Sequence, residues 1–150
     1  MKETRYYLDS SAIVKRYIEE ENSDIVSEIY REAYKGISKI SFSIWNVGEV
    51  LGVLDRAKRI GALDEKDYEI ARNNFLAELL RMKKLRLIEL VNLFNSIIVQ
   101  CWDLVEKYHV SQADALQLVS ARVSKANLFY TADKKLHEIA IKERLDSKLV

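Results

Sequence analysis

Acidic residues end or begin apolar segments at widely separated places along the chain, and carboxylates in such positions are suited to holding metal ions. Asp9 closes the segment YYLD, and Asp133 closes LFYTAD. Asp114 opens a helical pattern in VSQADALQL, and Glu49 lies about one helical turn beyond SFSIWN. Carboxylates brought close together repel one another unless a cation lies between them. The spacing therefore suggests that folding collects these side chains into a metal-dependent active site.

The three aspartates also have ordinary structural interpretations. Asp9 and Asp133 lie where aspartate caps the N-terminus of a helix, although Ser10 or Ser11 could cap the first helix instead. Asp114 could be a first-turn acid that the helix dipole stabilises. Because these interpretations explain each aspartate singly but not their joint placement, we favour the metal-binding interpretation.

Glu49 has a structural competitor of its own. Asn46, three residues earlier, could form a capping box with it, and Ser43 is a second candidate cap for the same helix. However, Glu49 interrupts the mostly apolar stretch from Val47 to Leu51, where an ionised carboxylate needs a cation or a metal as partner.

The sequence offers no other catalytic set. His109 and His137 are its only histidines, Cys101 is its only cysteine, and there is no HExxH motif or phosphate-binding glycine loop. Magnesium and manganese prefer oxygen ligands, and ions held by a few carboxylates can activate a water for phosphodiester hydrolysis. Thr131 or Ser10 could hydrogen-bond a ligating carboxylate.

Composition fits one globular domain spanning residues 1–150. The chain is 49% apolar and 31% charged, with a net charge of +1, so bulk charge argues neither for nor against nucleic acid. No apolar run approaches the roughly 20 residues of a membrane span, and the start MKETRYYLDSS lacks the features of a signal peptide. The single cysteine is compatible with a reducing compartment, so we expect a cytoplasmic protein without membrane contact.

Strand-like and helical segments alternate along the chain. Apolar segments in RYYLD, ISKISFS, LRLIEL and NLFYT predict strands, and LDSKLV predicts a further edge strand. Helical periodicity predicts helices between them, the first over SSAIVKRYIEE. This alternation predicts the α/β class: a three-layer α/β/α sandwich with a central parallel sheet. Ligands of such sheets bind beyond the carboxyl ends of the strands, where Asp9 and Asp133 fall.

Three segments in this order resemble the PIN-domain family, specifically its small VapC-type toxin ribonucleases. They are LDSSAIVKRYIEE, SIWNVGEVLGVLDRA and QADALQLVSARVSKANLFYTADKKL, and the resemblance runs over nearly the whole chain. One departure is Gln117, where many relatives have a histidine.

The resemblance implies a PIN-like fold and a Mg²⁺- or Mn²⁺-dependent endoribonuclease, the toxin of a toxin–antitoxin pair. It also implies a homodimer, an RNA substrate and inhibition by a small antitoxin protein. The site that it implies consists of four metal-binding acids and a supporting hydroxyl: Asp9, Glu49, Asp114, Asp133 and Thr131.

Two alternatives to this function remain. The first is a non-catalytic PIN-like module that binds protein or RNA, although binding alone does not need four converging carboxylates. The second is a metal-dependent phosphatase-like domain, which also places an aspartate after its first strand. Asp9 has no acidic neighbour in sequence to act with it in that chemistry.

Two surfaces complete the expectations. Basic residues are expected to form a rim that holds RNA phosphates in a salt-dependent way; they are Lys15, Arg16, Arg56 and Lys134. Aromatic residues are expected to form the homodimer surface; they are Tyr30, Tyr34 and Trp45.

Overall fold

The central sheet is parallel throughout. We describe residues 3–150 from a computed structural model. The strand order is β3-β2-β1-β4-β5, and every neighbouring pair is parallel. The strands are β1 Thr4–Leu8, β2 Ser38–Ser43, β3 Ile88–Val91, β4 Leu128–Thr131 and β5 Ser147–Leu149. The predicted parallel sheet is confirmed.

Helices connect the strands and cover both faces of the sheet. They are α1 Ser10–Val14, α2 Ser23–Tyr34, α3 Ile44–Arg59, α4 Glu65–Lys84, α5 Asn95–Tyr108, α6 Gln112–Val123 and α7 Lys134–Lys142. The chain steps from β1 to β3 in one direction across the sheet and from β3 to β5 in the other. Because such crossovers are right-handed, α1 to α4 lie on one face and α5 to α7 on the other. The predicted three-layer α/β/α sandwich is confirmed.

The core lies on both faces of the central strands, as in other parallel sheets covered by helices. Tyr7 and Leu8 of β1, Phe42 of β2 and Phe129 of β4 are fully buried. The rings of Tyr7 and Phe129 are stacked with centroids 5.6 Å apart. None of the helices within residues 3–150 is long and apolar enough to cross a membrane.

The first helix is shorter than predicted. The sequence predicts a helix over SSAIVKRYIEE, but α1 ends at Val14. Beyond it, the amides of Lys15, Arg16 and Tyr17 bond to carbonyls three residues back, which is the tighter turn typical of a helix end.

The strand order places a crevice between β1 and β4. After β1 the chain moves outward to β2 and β3 and then returns to β4 on the other side of β1. At such a switch point the connections leave in opposite directions, which opens a ligand site at the carboxyl ends of the strands. Asp9 directly follows β1, and Asp133 lies two residues beyond the end of β4.

Candidate active site

A cavity of about 240 Å³ lies at the carboxyl ends of β1 and β4. All four acids singled out from the sequence line it, although they come from four separate parts of the chain. Hydroxyl, amide and small apolar side chains form the rest of its wall. The lining residues are Asp9, Ser10, Ser11, Glu49, Val53, Ala113, Asp114, Gln117 and Asp133.

Asp9 is the most deeply placed of the acids, with 5% of its surface exposed. Its Oδ1 accepts hydrogen bonds from Ser11 Oγ at 2.6 Å and from the Ala12 amide at 3.0 Å. Its Oδ2 accepts from Thr131 Oγ1 at 2.5 Å. Burial raises the pKa of Asp9 to about 6; the three donors oppose that shift, and the charge of Asp133 adds to it. The carboxylate is therefore oriented by its donors but costly to ionise.

Asp9 and Asp133 both cap helices. Asp9 accepts from the Ala12 amide at the start of α1, so the expectation that Ser10 or Ser11 could take that role is wrong. Asp133 accepts from the Leu136 amide at 3.0 Å at the start of α7. Capping uses one oxygen of each carboxylate, so the structural role of these residues does not exclude a role in metal binding.

Ser11 and Thr131 tie the two strand ends together. Ser11 Oγ donates to Asp9 and accepts from the Ala132 amide at 2.9 Å. Thr131 Oγ1 donates to Asp9 and accepts from the Asp133 amide at 3.0 Å. Each hydroxyl thus joins the Asp9 carboxylate to the loop that carries Asp133, which fixes the distance between the two acids.

Asp114 reaches the cavity from the first turn of α6. Ser111 caps this helix by accepting from the Asp114 amide at 3.1 Å. The Asp114 side chain is partly buried, and burial, followed by the negative charge of Asp133, raises its pKa. An acid that only stabilises the helix dipole has no need to lie near a second carboxylate. The closeness of Asp114 to Asp133 therefore favours the metal-binding interpretation over the purely structural one.

Glu49 enters the cavity from α3 without forming a capping box. Ser43 is the N-cap of α3 and accepts from the Trp45 amide at 3.1 Å. The capping-box interpretation of Asn46 is therefore wrong: Asn46 lies inside the helix and is fully buried. Glu49 Oε1 accepts from Ser10 Oγ at 2.8 Å and, more weakly, from Gln117 Nε2 at 3.5 Å.

Sequence reasoning missed a buried polar group behind Glu49. Gln117 Oε1 accepts from Tyr7 Oη and from Asn46 Nδ2, both at 2.8 Å. The sequence drew attention to Gln117 only as a departure from a histidine. The available signal was its place one helical turn after Asp114, as a lone amide within the apolar run ALQLV.

The four carboxylates have no salt-bridge partner in the described part of the chain, although the positive charge of Lys135 acts on Asp114. An all-oxygen set of this kind fits Mg²⁺ or Mn²⁺ in ligand type. In residues 3–150, however, no three acidic, histidine or cysteine side chains form a compact group in ligand geometry. The ligand atoms are therefore of the type that these ions prefer. The side chains share one cavity, but they are not yet close enough together to coordinate an ion.

Two of the four expected rim cations are not available to RNA. Lys15 is buried, and its Nζ donates to the Glu21 carbonyl oxygen at 2.6 Å. Arg16 forms a two-pronged pair with Glu78 at 2.9 and 3.1 Å. The expectation is wrong for these two because each finds an acceptor inside the protein. The other two expected members, Arg56 and Lys134, are exposed.

The expected aromatic dimer surface is also reduced. Tyr30 is fully buried beneath the Arg16 guanidinium, and Tyr34 donates its hydroxyl to Glu78 at 2.9 Å. Tyr30 therefore belongs to the monomer's own packing, and the expectation is wrong for it. Tyr34 is half-buried, and its place in a dimer surface stays a prediction. Trp45, on the first turn of α3, is 47% exposed and remains a candidate contact residue.

Comparison with known proteins agrees with this architecture. The family description that matches the sequence is the PIN domain, over residues 6–142. No curated protein matches the sequence. Among solved structures, VapC20 of Mycobacterium tuberculosis, described as a sarcin-ricin loop cleaving toxin, is similar with a TM-score of 0.64. It is 12% identical, and the match covers 89% of this chain and 94% of VapC20.

Two further structures share the fold. PAE2754 from Pyrobaculum aerophilum has a TM-score of 0.61 and 16% identity, with 90% of this chain and 84% of that chain covered. FitAcB from Neisseria gonorrhoeae has a TM-score of 0.57 and 16% identity, with 95% of each chain covered. The fold is thus that of VapC-type PIN domains.

Proposed function

Because the chain belongs to the PIN-domain family of nucleases, we propose that it is a Mg²⁺- or Mn²⁺-dependent endoribonuclease acting as the toxin of a toxin–antitoxin pair. The observation that carries the proposal is the cavity between β1 and β4, which all four predicted acids line. Neither protein binding nor helix capping requires four carboxylates without salt-bridge partners around one crevice.

Each acid has a distinct place in the proposed site. Asp9, Asp114 and Asp133 are the principal metal ligands, and Glu49 is a ligand or orients the attacking water. Thr131 is a supporting residue because its hydroxyl fixes Oδ2 of Asp9. A bound Mg²⁺ or Mn²⁺ supplies an activated water and neutralises charge that develops on the phosphate.

RNA is the proposed substrate, and a small antitoxin protein is the proposed inhibitor. VapC20, whose fold is similar, is described as a sarcin-ricin loop cleaving toxin. Arg56 lies three residues after Val53 of the cavity wall, Lys134 directly follows Asp133, and both are exposed, so they are proposed to attract RNA phosphates. An antitoxin that covered this cavity would exclude RNA from it.

The proposal also covers the domain organisation of the enzyme and its cellular compartment. Residues 1–150 act as one nuclease domain, since β1 to β5 form one sheet with one connected core. Cys101 is a buried free thiol, which agrees with a reducing cytoplasm.

We propose a homodimer as the working form. Support comes from apolar side chains at the margin of the sheet's carboxyl edge, since Ile44, Trp45 and Phe94 are 42%, 47% and 60% exposed. Light scattering at micromolar concentration is expected to give twice the 17.4 kDa mass of the chain. Replacing Trp45 by lysine is expected to shift the protein toward the monomer, and a parent protein that stays monomeric at high concentration contradicts the proposal.

Cleavage of RNA that stops on chelation tests the nuclease proposal. A pool of RNA with randomised loops is incubated with the protein in manganese, in magnesium and in excess chelator, and new 5′ ends are sequenced. We expect defined cleavage sites with either metal and none in chelator, because the carboxylates alone supply no nucleophile. Cleavage that persists in chelator contradicts metal dependence, and binding of the pool without cleavage in either metal favours the non-catalytic module.

A further inference from the structure

The buried amide of Gln117 has only one orientation that satisfies its surroundings. Its Oε1 lies 2.8 Å from the Tyr7 hydroxyl and 2.8 Å from Asn46 Nδ2, and both of these groups are donors. Its Nε2 therefore points the other way, toward Oε1 of Glu49 at 3.5 Å. A flipped amide would set its oxygen against the Glu49 carboxylate, which is unfavourable whichever way the Asn46 amide is turned.

The inner end of this arrangement is fixed as well. The Ser43 amide donates to Tyr7 Oη at 3.3 Å, so the phenol accepts from the backbone and donates its own proton to Gln117. Successive hydrogen bonds that run in one direction polarise one another in a low-dielectric interior. The chain of donors that begins at β2 thus ends on the carboxylate of Glu49.

Both donors to Glu49 use the same oxygen. Ser10 Oγ donates to Oε1 at 2.8 Å, and Gln117 Nε2 approaches Oε1 at 3.5 Å. Within residues 3–150, no protein donor reaches Oε2 of Glu49. The side chain is therefore held by one oxygen while the other remains available in the cavity.

We propose that Gln117 is a positioning residue that orients Glu49 through Oε1 and leaves Oε2 free to bind the divalent metal ion or its water. The proposal rests on the proposed function, because the purpose of the orientation is the metal site. At 3.5 Å the contact is long for an N–H···O hydrogen bond, so its main effect is to direct the positive end of the amide dipole at the carboxylate.

The buried polar side chains Asn46 and Gln117 are less favourable for folding than apolar side chains would be in their place. Asn46 is fully buried, and its Oδ1 has no hydrogen-bond partner within residues 3–150, an arrangement that opposes folding. An apolar side chain at position 46 would avoid that cost. Asn46 Nδ2, however, donates to the side-chain oxygen of Gln117. Replacing Asn46 would therefore leave the Gln117 amide free to turn away from Glu49.

Nuclear magnetic resonance of the protein in chelator tests the contact without metal or RNA. The side-chain NH₂ resonances of Gln117 are assigned by their disappearance in Gln117→Met. We expect protons that exchange slowly with solvent and that shift when Glu49 is replaced by glutamine, because that replacement removes the charge that the amide faces. Exchange and shifts typical of a free amide, unchanged in Glu49→Gln, overturn the proposal.

Manganese affinity, measured by calorimetry at pH 8, tests the role. Gln117→Met preserves volume but removes both the inner acceptor and the outer donor, and we expect about tenfold weaker binding. In the Glu49→Gln background the same change should have no further effect, since the two residues act as a unit. Gln117→His should bind manganese more tightly than Gln117→Met, because neutral imidazole offers an acceptor nitrogen for one of the two inner donors and a donor nitrogen toward Glu49.

The outcomes separate this inference from the proposed function. Equal losses of affinity in both backgrounds identify a structural role for Gln117 and overturn the inference. Resonances that respond to Glu49→Gln in a parent protein that binds neither manganese nor magnesium support the contact but overturn the proposed function. Should Gln117→Met fail to fold, the resonances of the parent protein and Glu49→Gln still decide, with assignment by selective glutamine labelling.

Discussion

Replacement of Asp9 by asparagine is expected to reduce metal-dependent RNA cleavage by at least about a hundredfold and to weaken manganese binding in parallel. Groups that only support metal ligands are typically worth about 10- to 100-fold, so loss of a ligand should cost at least as much. Asparagine retains an oxygen that can accept from Ser11 and Ala12, as Asp9 Oδ1 does. The variant therefore removes charge without removing the helix cap.

Asp64→Asn is the matched control. Asp64 caps α4 by accepting from the Asp67 amide at 2.7 Å, so it shares the capping role of Asp9 but lies outside the acidic cavity. We expect this variant to cleave RNA at the parental rate. Cleavage by Asp9→Asn at the parental rate in manganese would show that the carboxylate only caps α1 and is not part of the reaction.

The parts of the site that the sequence predicts are those tied to local pattern. Asp9 and Asp133 stand out because each follows an apolar strand, and the strand-helix alternation determines that parallel strand ends share one edge. The fold follows from the same periodicity, which explains why the layers and most helix bounds could be predicted. Chain order alone then brings the strand ends to the crevice.

What the sequence could not predict depends on partners far along the chain. Gln117 bonds to groups 68, 71 and 110 residues away, and no local pattern contains those pairings. Arg16 was expected in a solvated rim because its bonded partner, Glu78, lies 62 residues away on α4. Asn46 fits a capping box by spacing, but α3 begins three residues earlier than that spacing assumes, directly after Ser43, which itself becomes the cap.

In chelator, the free energy of unfolding of Asp9→Asn is expected to exceed that of the parent protein by up to about 3 kcal/mol at pH 7. Burial raises the pKa of Asp9 from its ordinary value of 3.8 to about 6, and that difference corresponds to about 3 kcal/mol. Because the folded-state pKa is the higher one, the contribution of Asp9 to stability is fully present below about pH 4. It is lost as the pH rises through about 6. The two proteins should therefore be nearly equal in stability at pH 4 and diverge toward pH 7.

Manganese should reverse this order, because a cation offsets the charge that burial makes costly. At a concentration one hundred times its dissociation constant, manganese should stabilise the parent protein by about 2.7 kcal/mol and Asp9→Asn by clearly less. Urea unfolding from pH 4 to 7, in chelator and in manganese, measures both effects, and Asp64→Asn should show neither.

Glu78 and Glu143 have lowered pKa values and impose the opposite pH trend on both proteins, so only the difference between variant and parent reports on Asp9. If that difference stays constant from pH 4 to 7 in chelator, Asp9 is not ionised at a cost in the folded protein, and the carboxylates do not need a cation to share the cavity.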